Sequence, residues 1–214
     1  PFRCRYQAHR AVQPRAVVVE VEPAVGLRDE LRERRAAYFL AMAEEAEPEL
    51  FGPQDREWLE RLEREHDNLR AALSCVLERR EAGQGLRFGA ALWRFWLAEG
   101  YLSEGRKWLD AILAGGEQGP ERARALEGLG WLAQYQGDIE RAKAAYREML
   151  KLSRESDDRG NVATALNSLG TLAVSTGDNE RAKRYLETRE RAPGGRRAVI
   201  GSPQTVRAGL EAVA

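Results

Sequence analysis

Hydrophobic and polar residues alternate along residues 1–26 without a helical period. Arg, Val and Pro follow one another there. Within this irregular N-terminal segment, Ala16-Val17-Val18-Val19-Glu20-Val21 reads as a short strand, because β-branched runs suit a pleated surface. From Leu27 the spacing changes. Leu31, Tyr38, Met42 and Ala46 fall on one face, with Arg and Glu between them, which predicts a helix. Pro48 ends it, and Gly52-Pro53 marks a turn. A single long helix is expected from about Gln54 to Arg80. Its apolar positions, Trp58, Leu59, Leu62, Leu69, Leu73, Val76 and Leu77, form one stripe. Gly83-Gln84-Gly85 reads as a loop. Leu86 to Ala98 is then a helix rich in aromatic residues, and Leu102 to Leu113 follows after Gly100. Gly115-Gly116 and Gly119-Pro120 form another loop, with Pro120 placed to open a helix.

Two later stretches superimpose. Leu129-Gly130-Trp131-Leu132-Ala133 followed by Gly137-Asp138-Ile139-Glu140-Arg141-Ala142-Lys143 matches Leu169-Gly170-Thr171-Leu172-Ala173 followed by Gly177-Asp178-Asn179-Glu180-Arg181-Ala182-Lys183. The offset is 170 − 130 = 40 residues. A fainter copy begins at Gly100, where Gly105 stands in the place of Ala142 and Ala182. Gly130 and Gly170 are mid-helix, where glycine costs roughly 1 kcal/mol against alanine. Their presence predicts a close approach of two helices. Gly137 and Gly177 are expected to end the first helix in the left-handed conformation, and Asp138 and Asp178 to cap the next. Ala142 and Ala182 are small enough to let paired helices touch. Tyr146, and Tyr185 one position earlier in its copy, are expected to plug the space between pairs.

This pattern resembles the tetratricopeptide repeat over residues 86–190. The usual period of that repeat is about 34 residues, so about six residues more are expected in the helices or in the link Ser156 to Asn161. The resemblance implies an all-α fold, a right-handed α-solenoid of helical hairpins. One hairpin cannot bury its own apolar face, so several must stack. The expected division is an irregular segment 1–26, an N-terminal helical cap 27–80, repeats over 84–191 (84–118, 120–156 and 159–191), and a linker with a short C-terminal helix over 192–214.

A narrower resemblance lies upstream. Arg35-Ala36-Ala37-Tyr38-Phe39-Leu40-Ala41-Met42-Ala43-Glu44, Trp58-Leu59, Glu65-His66-Asp67-Asn68-Leu69-Arg70-Ala71-Ala72-Leu73 and Ala91-Leu92-Trp93-Arg94-Phe95-Trp96 resemble segments of large bacterial signal-transduction ATPases and their transcriptional-activator relatives. In that family such segments join an ATPase to a helical-repeat sensor arm, which receives a ligand or partner protein. The 214 residues contain no Gly-x-x-x-x-Gly-Lys-[Ser/Thr] phosphate loop. The winged-helix-like stretch expected before residue 35 is not recognisable in residues 1–26, which points to a truncated or frame-disturbed gene. Farther on, Val199 to Leu210 resembles a segment near the C-terminus of flavin-dependent, luciferase-like monooxygenases. If so, a fusion remnant is the implication, since the catalytic barrel is not in these residues.

Composition narrows the function classes. The chain has 34 basic and 34 acidic residues, a net charge of zero. Direct nucleic-acid binding and attachment to an anionic membrane surface both call for a basic excess. Hydrophobic residues make up 43%, enough for a core, while 32% charged residues suit many half-wetted helices. The longest useful apolar run, Tyr38 to Ala43, is far short of the ~20 residues that span a bilayer. Cys4 and Cys75 form neither a disulfide framework nor a Cys-x-x-Cys pair, so a cytoplasmic location is expected.

Catalytic chemistry finds little support. His66-Asp67 is the sole His–Asp neighbour pair, but adjacent helical residues point about 100° apart, and no nucleophile accompanies them. His9 and His66 belong to no cluster with metal-ligand spacing. Gly83-x-Gly85-x-x-x-Gly89 has the wrong spacing for a dinucleotide fingerprint. The rings of Phe88, Trp93, Phe95, Trp96, Tyr101 and Trp108 read chiefly as core, with a groove lining as the alternative. Arg181 to Arg197 is a basic stretch, broken by Glu187 and Glu190, that reads as a wetted face and linker. No enzyme, cofactor or metal is therefore expected.

The leading expectation is an interaction module, the sensor arm of a bacterial signalling or transcriptional regulator. A stand-alone tetratricopeptide adaptor and the monooxygenase-tailed remnant are the alternatives. Stacked hairpins curve and offer a groove lined by the first helix of each pair. Arg94, Glu127, Gln134, Asn167 and Ser168 are the expected lining residues, taking a protein or peptide partner or a small inducer. Asn167 leads, because a short amide can both donate to and accept from an extended backbone.

Overall fold

The computed structural model describes residues 25–50, 52 and 55–191. The expected strand at 16–21, the irregular segment up to residue 24, Pro53 of the expected turn, and the linker, helix and monooxygenase-like stretch of 192–214 lie outside the described residues.

Within them the chain is an all-α helical-repeat fold. Nine α-helices follow in order: α1 (Val25–Ala46), α2 (Asp55–Arg64), α3 (His66–Glu78), α4 (Ala82–Ala98), α5 (Leu102–Ala114), α6 (Pro120–Tyr135), α7 (Ile139–Glu155), α8 (Arg159–Ser175) and α9 (Asn179–Arg191). A 3-10 turn, Glu47–Glu49, follows α1 directly. The last six helices pack in three successive pairs: α4 with α5, α6 with α7, α8 with α9. Each pair stacks on the next, and the first helices also touch, α4 on α6 and α6 on α8. The helices α1 and α3 pack together and close the α4 end of the stack.

The repeat words do what their chemistry suggests. Gly137 and Gly177 both sit at φ +77°, in the left-handed region that favours glycine. Just beyond them, Asp138 accepts a hydrogen bond from the Arg141 amide and Asp178 from the Arg181 amide, at 3.2 and 3.1 Å. Gly130 lies so close to α7 that a Cβ there would overlap the Tyr146 ring, and Gly128 likewise faces Trp93 of α4. The 40-residue period is absorbed by helix length. The link between α7 and α8 is only Ser156 to Asp158, while α7 and α8 are 17 residues each.

Four expectations need correction. The long helix of 54–80 is two helices, broken at Glu65 (φ −100°, ψ 7°), because the buried His66 turns inward against Phe95 and Tyr101. Gly83-Gln84-Gly85 is not a loop. It forms the start of α4, and the chain turns earlier, through Arg80 at φ +56°. Leu31 and Tyr38 are not core residues: they are 55% and 60% exposed, and α1 instead buries Ala36, Phe39, Leu40, Ala43 and Ala46 together with Met42. That second stripe is denser in apolar side chains and meets α3 and α4, so it wins the interior. Finally, Gly170 is not a tight approach. A Cβ there would meet Leu186 at 3.4 Å, an ordinary contact, and Leu186 rather than Tyr185 comes nearest to it.

Candidate interaction face

The first helices of the three pairs carry polar groups on a largely apolar wall. Phe88, Trp93, Phe95 and Trp96 of α4 are core residues, each at most 1% exposed, while Tyr101 and Trp108 are half-buried around them. Against this wall Arg94 points out of α4. Its guanidinium stacks 4.4 Å from the centre of the Trp93 ring, a cation–π placement. Nη1 of Arg94 donates to Oε1 of Glu47 at 3.1 Å, and Arg124 from α6 pairs with the same oxygen. A hollow of about 280 Å³ opens here, lined by Glu47, Pro48, Arg94 and Arg124.

Glu127 lies one turn after Arg124 on α6. It is buried beside the Trp131 indole. Burial pushes its carboxyl above the usual range, while Arg94 and Arg124 pull it back. The same burial weighs against the charge on both arginines, lowering each from its ordinary value. Thus two of the residues expected in a groove, Arg94 and Glu127, are brought together, and two that the sequence did not single out, Glu47 and Arg124, complete the cluster.

The other three expected lining residues sit apart from it. Gln134 accepts a 3.3 Å hydrogen bond from the Tyr146 hydroxyl. Asn167 is half-buried and accepts from Arg189 at 2.8 Å. Ser168 is 3% exposed, within the interior of the α8 packing. Arg124 carried one usable signal: it precedes Glu127 by three residues on the same helix, the spacing of side-chain neighbours. Glu47 carried none, since Pro48 beside it reads simply as a helix terminator.

A second polar cluster joins the cap to the first pair. Arg70 of α3 grips Glu104 of α5 with two hydrogen bonds, 2.8 and 2.5 Å, and the Trp108 indole donates to the same carboxylate at 3.2 Å. Nε2 of the buried His66 lies 3.2 Å from Glu104, and its Nδ1 lies 3.9 Å from Glu63. Arg70's hydrogen bonds hold the Glu104 carboxyl down at about 2. A carboxyl held that low stays ionised near neutrality, which suits Glu104 to fastening α3 to α5. The adjacent Asp67 points away and pairs with Arg70 at 2.9 Å, leaving no His–Asp dyad.

Among the described residues, no group of three His, Cys, Asp or Glu is placed to hold a metal, and no helix is long and apolar enough to cross a membrane. Cys75 is buried as a free thiol. Residues 123–156 match the family model described as Tetratricopeptide repeat, which coincides with α6 and α7. Repeats of this kind generally mediate protein–protein contacts. No curated protein matches the chain significantly.

Proposed function

We propose that the chain is a protein-binding arm, the sensor or interaction part of a bacterial signalling or transcriptional regulator acting in the cytoplasm. A peptide segment of the partner lies along the first helices α4, α6 and α8. Residues 27–80 serve as the cap, and 84–118, 120–156 and 159–191 as the repeats. One observation carries this reading: polar side chains that keep some exposure (Arg94, Arg124, Gln134 and Asn167) project from successive first helices that also bury much of the core. The tetratricopeptide match to the central pair supports it, and so does the likeness of residues 35–96 to the junction segments of signalling ATPases. Part-exposed polar groups on an apolar wall suit recognition of an extended backbone, where anchors give affinity and amides give register.

Panning a displayed random-peptide library against the whole chain tests this. The tightest peptide is expected to lose about tenfold in affinity on Asn167→Ala, with the helical circular-dichroism signal and melting temperature kept. Arg147→Ala, on the exposed face of the second helix α7, is expected to leave affinity unchanged. Full affinity in Asn167→Ala and Gln134→Ala, with a loss in Arg147→Ala, would place binding on the opposite face and end the proposal.

A further inference from the structure

Two carboxylates, Glu44 of α1 and Glu47 of the turn after it, tie the cap to the repeats, and they do so in different ways. At Glu44, one arginine meets one carboxylate: Arg87 Nε and Nη2 reach Oε1 and Oε2 at 2.6 and 2.7 Å, the planar fork that saturates both oxygens. At Glu47, two guanidiniums from different helices converge on a single oxygen. A guanidinium presents five N–H donors and can hold two oxygens side by side. Two of them from different helices around one oxygen form a doubly positive seat for a carboxylate. The hollow lined by Glu47, Pro48, Arg94 and Arg124 gives the seat access from outside.

The charges behind the seat point the same way. Glu127 is buried within reach of the charges of both arginines. If it is ionised, the four groups balance. If it takes up a proton, as its burial favours, one positive charge is left over beside Glu47. Glu47 itself belongs to a three-residue 3-10 turn whose next residue, Pro48, is exposed, so its side chain can return to water without dismantling a helix.

We infer that Arg94 and Arg124 form an anion seat in the binding groove, which Glu47 fills in the free protein and from which an acidic side chain of a bound peptide displaces it. This rests on the groove reading above and gives it a chemical preference, for peptides bearing Glu or Asp opposite the α4–α6 junction. Exchange of one carboxylate for another gains little by itself. The rest of the peptide's contacts hold the incoming carboxylate in place, and Glu47 acts as a built-in competitor that rejects peptides without one.

The test uses the full chain and two labelled ten-residue peptides, acetylated and amidated, alike except that three Glu in one are Gln in the other. Binding is read by fluorescence anisotropy at low salt, where charge pairs are least screened. The Glu peptide is expected to bind at least about tenfold tighter than the Gln peptide, and Arg124→Gln to abolish that difference. Glu47→Gln is the deciding variant. Removal of the competitor is expected to tighten the Glu peptide severalfold, whereas Glu44→Gln, which loosens the neighbouring tie between α1 and α4, is expected not to. If Glu47→Gln binds the Glu peptide no better than the unaltered chain, Glu47 is a structural tie and the inference fails. Failure also follows if the two peptides bind alike, or if the Glu peptide's advantage survives Arg124→Gln. Each of these results leaves the groove itself to be judged by the Asn167→Ala experiment.

Discussion

In the second helical pair, Gly130 lies under the ring of Tyr146, which is fully buried. In the third, Gly170 stands 40 residues later in the same words, yet it faces Leu186 at an ordinary distance, and Tyr185 is only half-buried. The cause is a single step of register. Tyr185 aligns with Ala145, and Leu186 aligns with Tyr146. One residue along a helix is a rotation of about 100°, so the third ring turns off the axis of contact and a smaller side chain takes its place. Two copies of one motif thus have different interiors. The glycine is a steric requirement in one and a residue of the pattern in the other.

The largest test of this contrast truncates the rings. Tyr146→Ala empties a fully enclosed site and is expected to cost about 4 kcal/mol. Tyr185→Ala, at a half-wetted position, is expected to cost about 1 kcal/mol. Urea unfolding followed by circular dichroism measures both, and equal losses would erase the difference between the pairs. The glycines come next. Gly130→Ala forces the ring or the helix to move and is expected to cost about 2 kcal/mol. Gly170→Ala is expected to be neutral, or to gain up to about 1 kcal/mol from helix propensity. If the ring is the obstacle, Gly130→Ala becomes less costly in a Tyr146→Leu background, which imitates the third pair. An unchanged cost there would locate the constraint in the backbone.

The same register step shows what the sequence can and cannot disclose. Helix ends, caps and pairing were legible because they depend on local chemistry: Gly137 and Gly177 take a backbone that other residues avoid, and Asp138 and Asp178 bond amides three residues away. Facing partners were not legible in this way. The break at Glu65 depends on His66 meeting rings about 30 residues later, and the leucine spacing across it, Leu62 to Leu69, is that of an unbroken helix. Glycines at 83 and 85 resembled a loop because their lack of side chains was read as conformational freedom. Gly85 instead packs beside Ile112 inside a helix. For the candidate site the divide is similar. Arg94, Glu127, Gln134 and Asn167 could be placed on first helices from periodicity. That Arg94 and Arg124 share one oxygen of Glu47 depends on how the cap folds back across the stack.

The smallest expected effect concerns the caps. Asp138 and Asp178 hold the same amide, but Asp138 is also bonded by Arg106 of the preceding pair at 2.6 Å. Lys143, which occupies the place of Arg106 in the next pair, holds Glu140 at 3.6 Å. Arg106's hydrogen bond, with the Arg141 amide second, lowers the Asp138 carboxyl below its ordinary 3.8. A carboxyl depressed in the folded state contributes stability that is present above the unfolded value and lost as pH falls through the folded one. Asp138→Asn is therefore expected to lower the melting temperature near pH 7, with the gap to the unaltered chain narrowing as pH falls below about 4. Arg106→Gln should reproduce the part of that gap that belongs to the link between pairs, and should leave the effect of Asp178→Asn untouched. The pair is only half-buried and its attraction partly screened, so the shift is small and shrinks with added salt. If the gap for Asp138→Asn is the same at pH 7 and at pH 3, the charge on Asp138 adds nothing to the fold, and its ion pair with Arg106 contributes nothing to holding the first and second pairs in register.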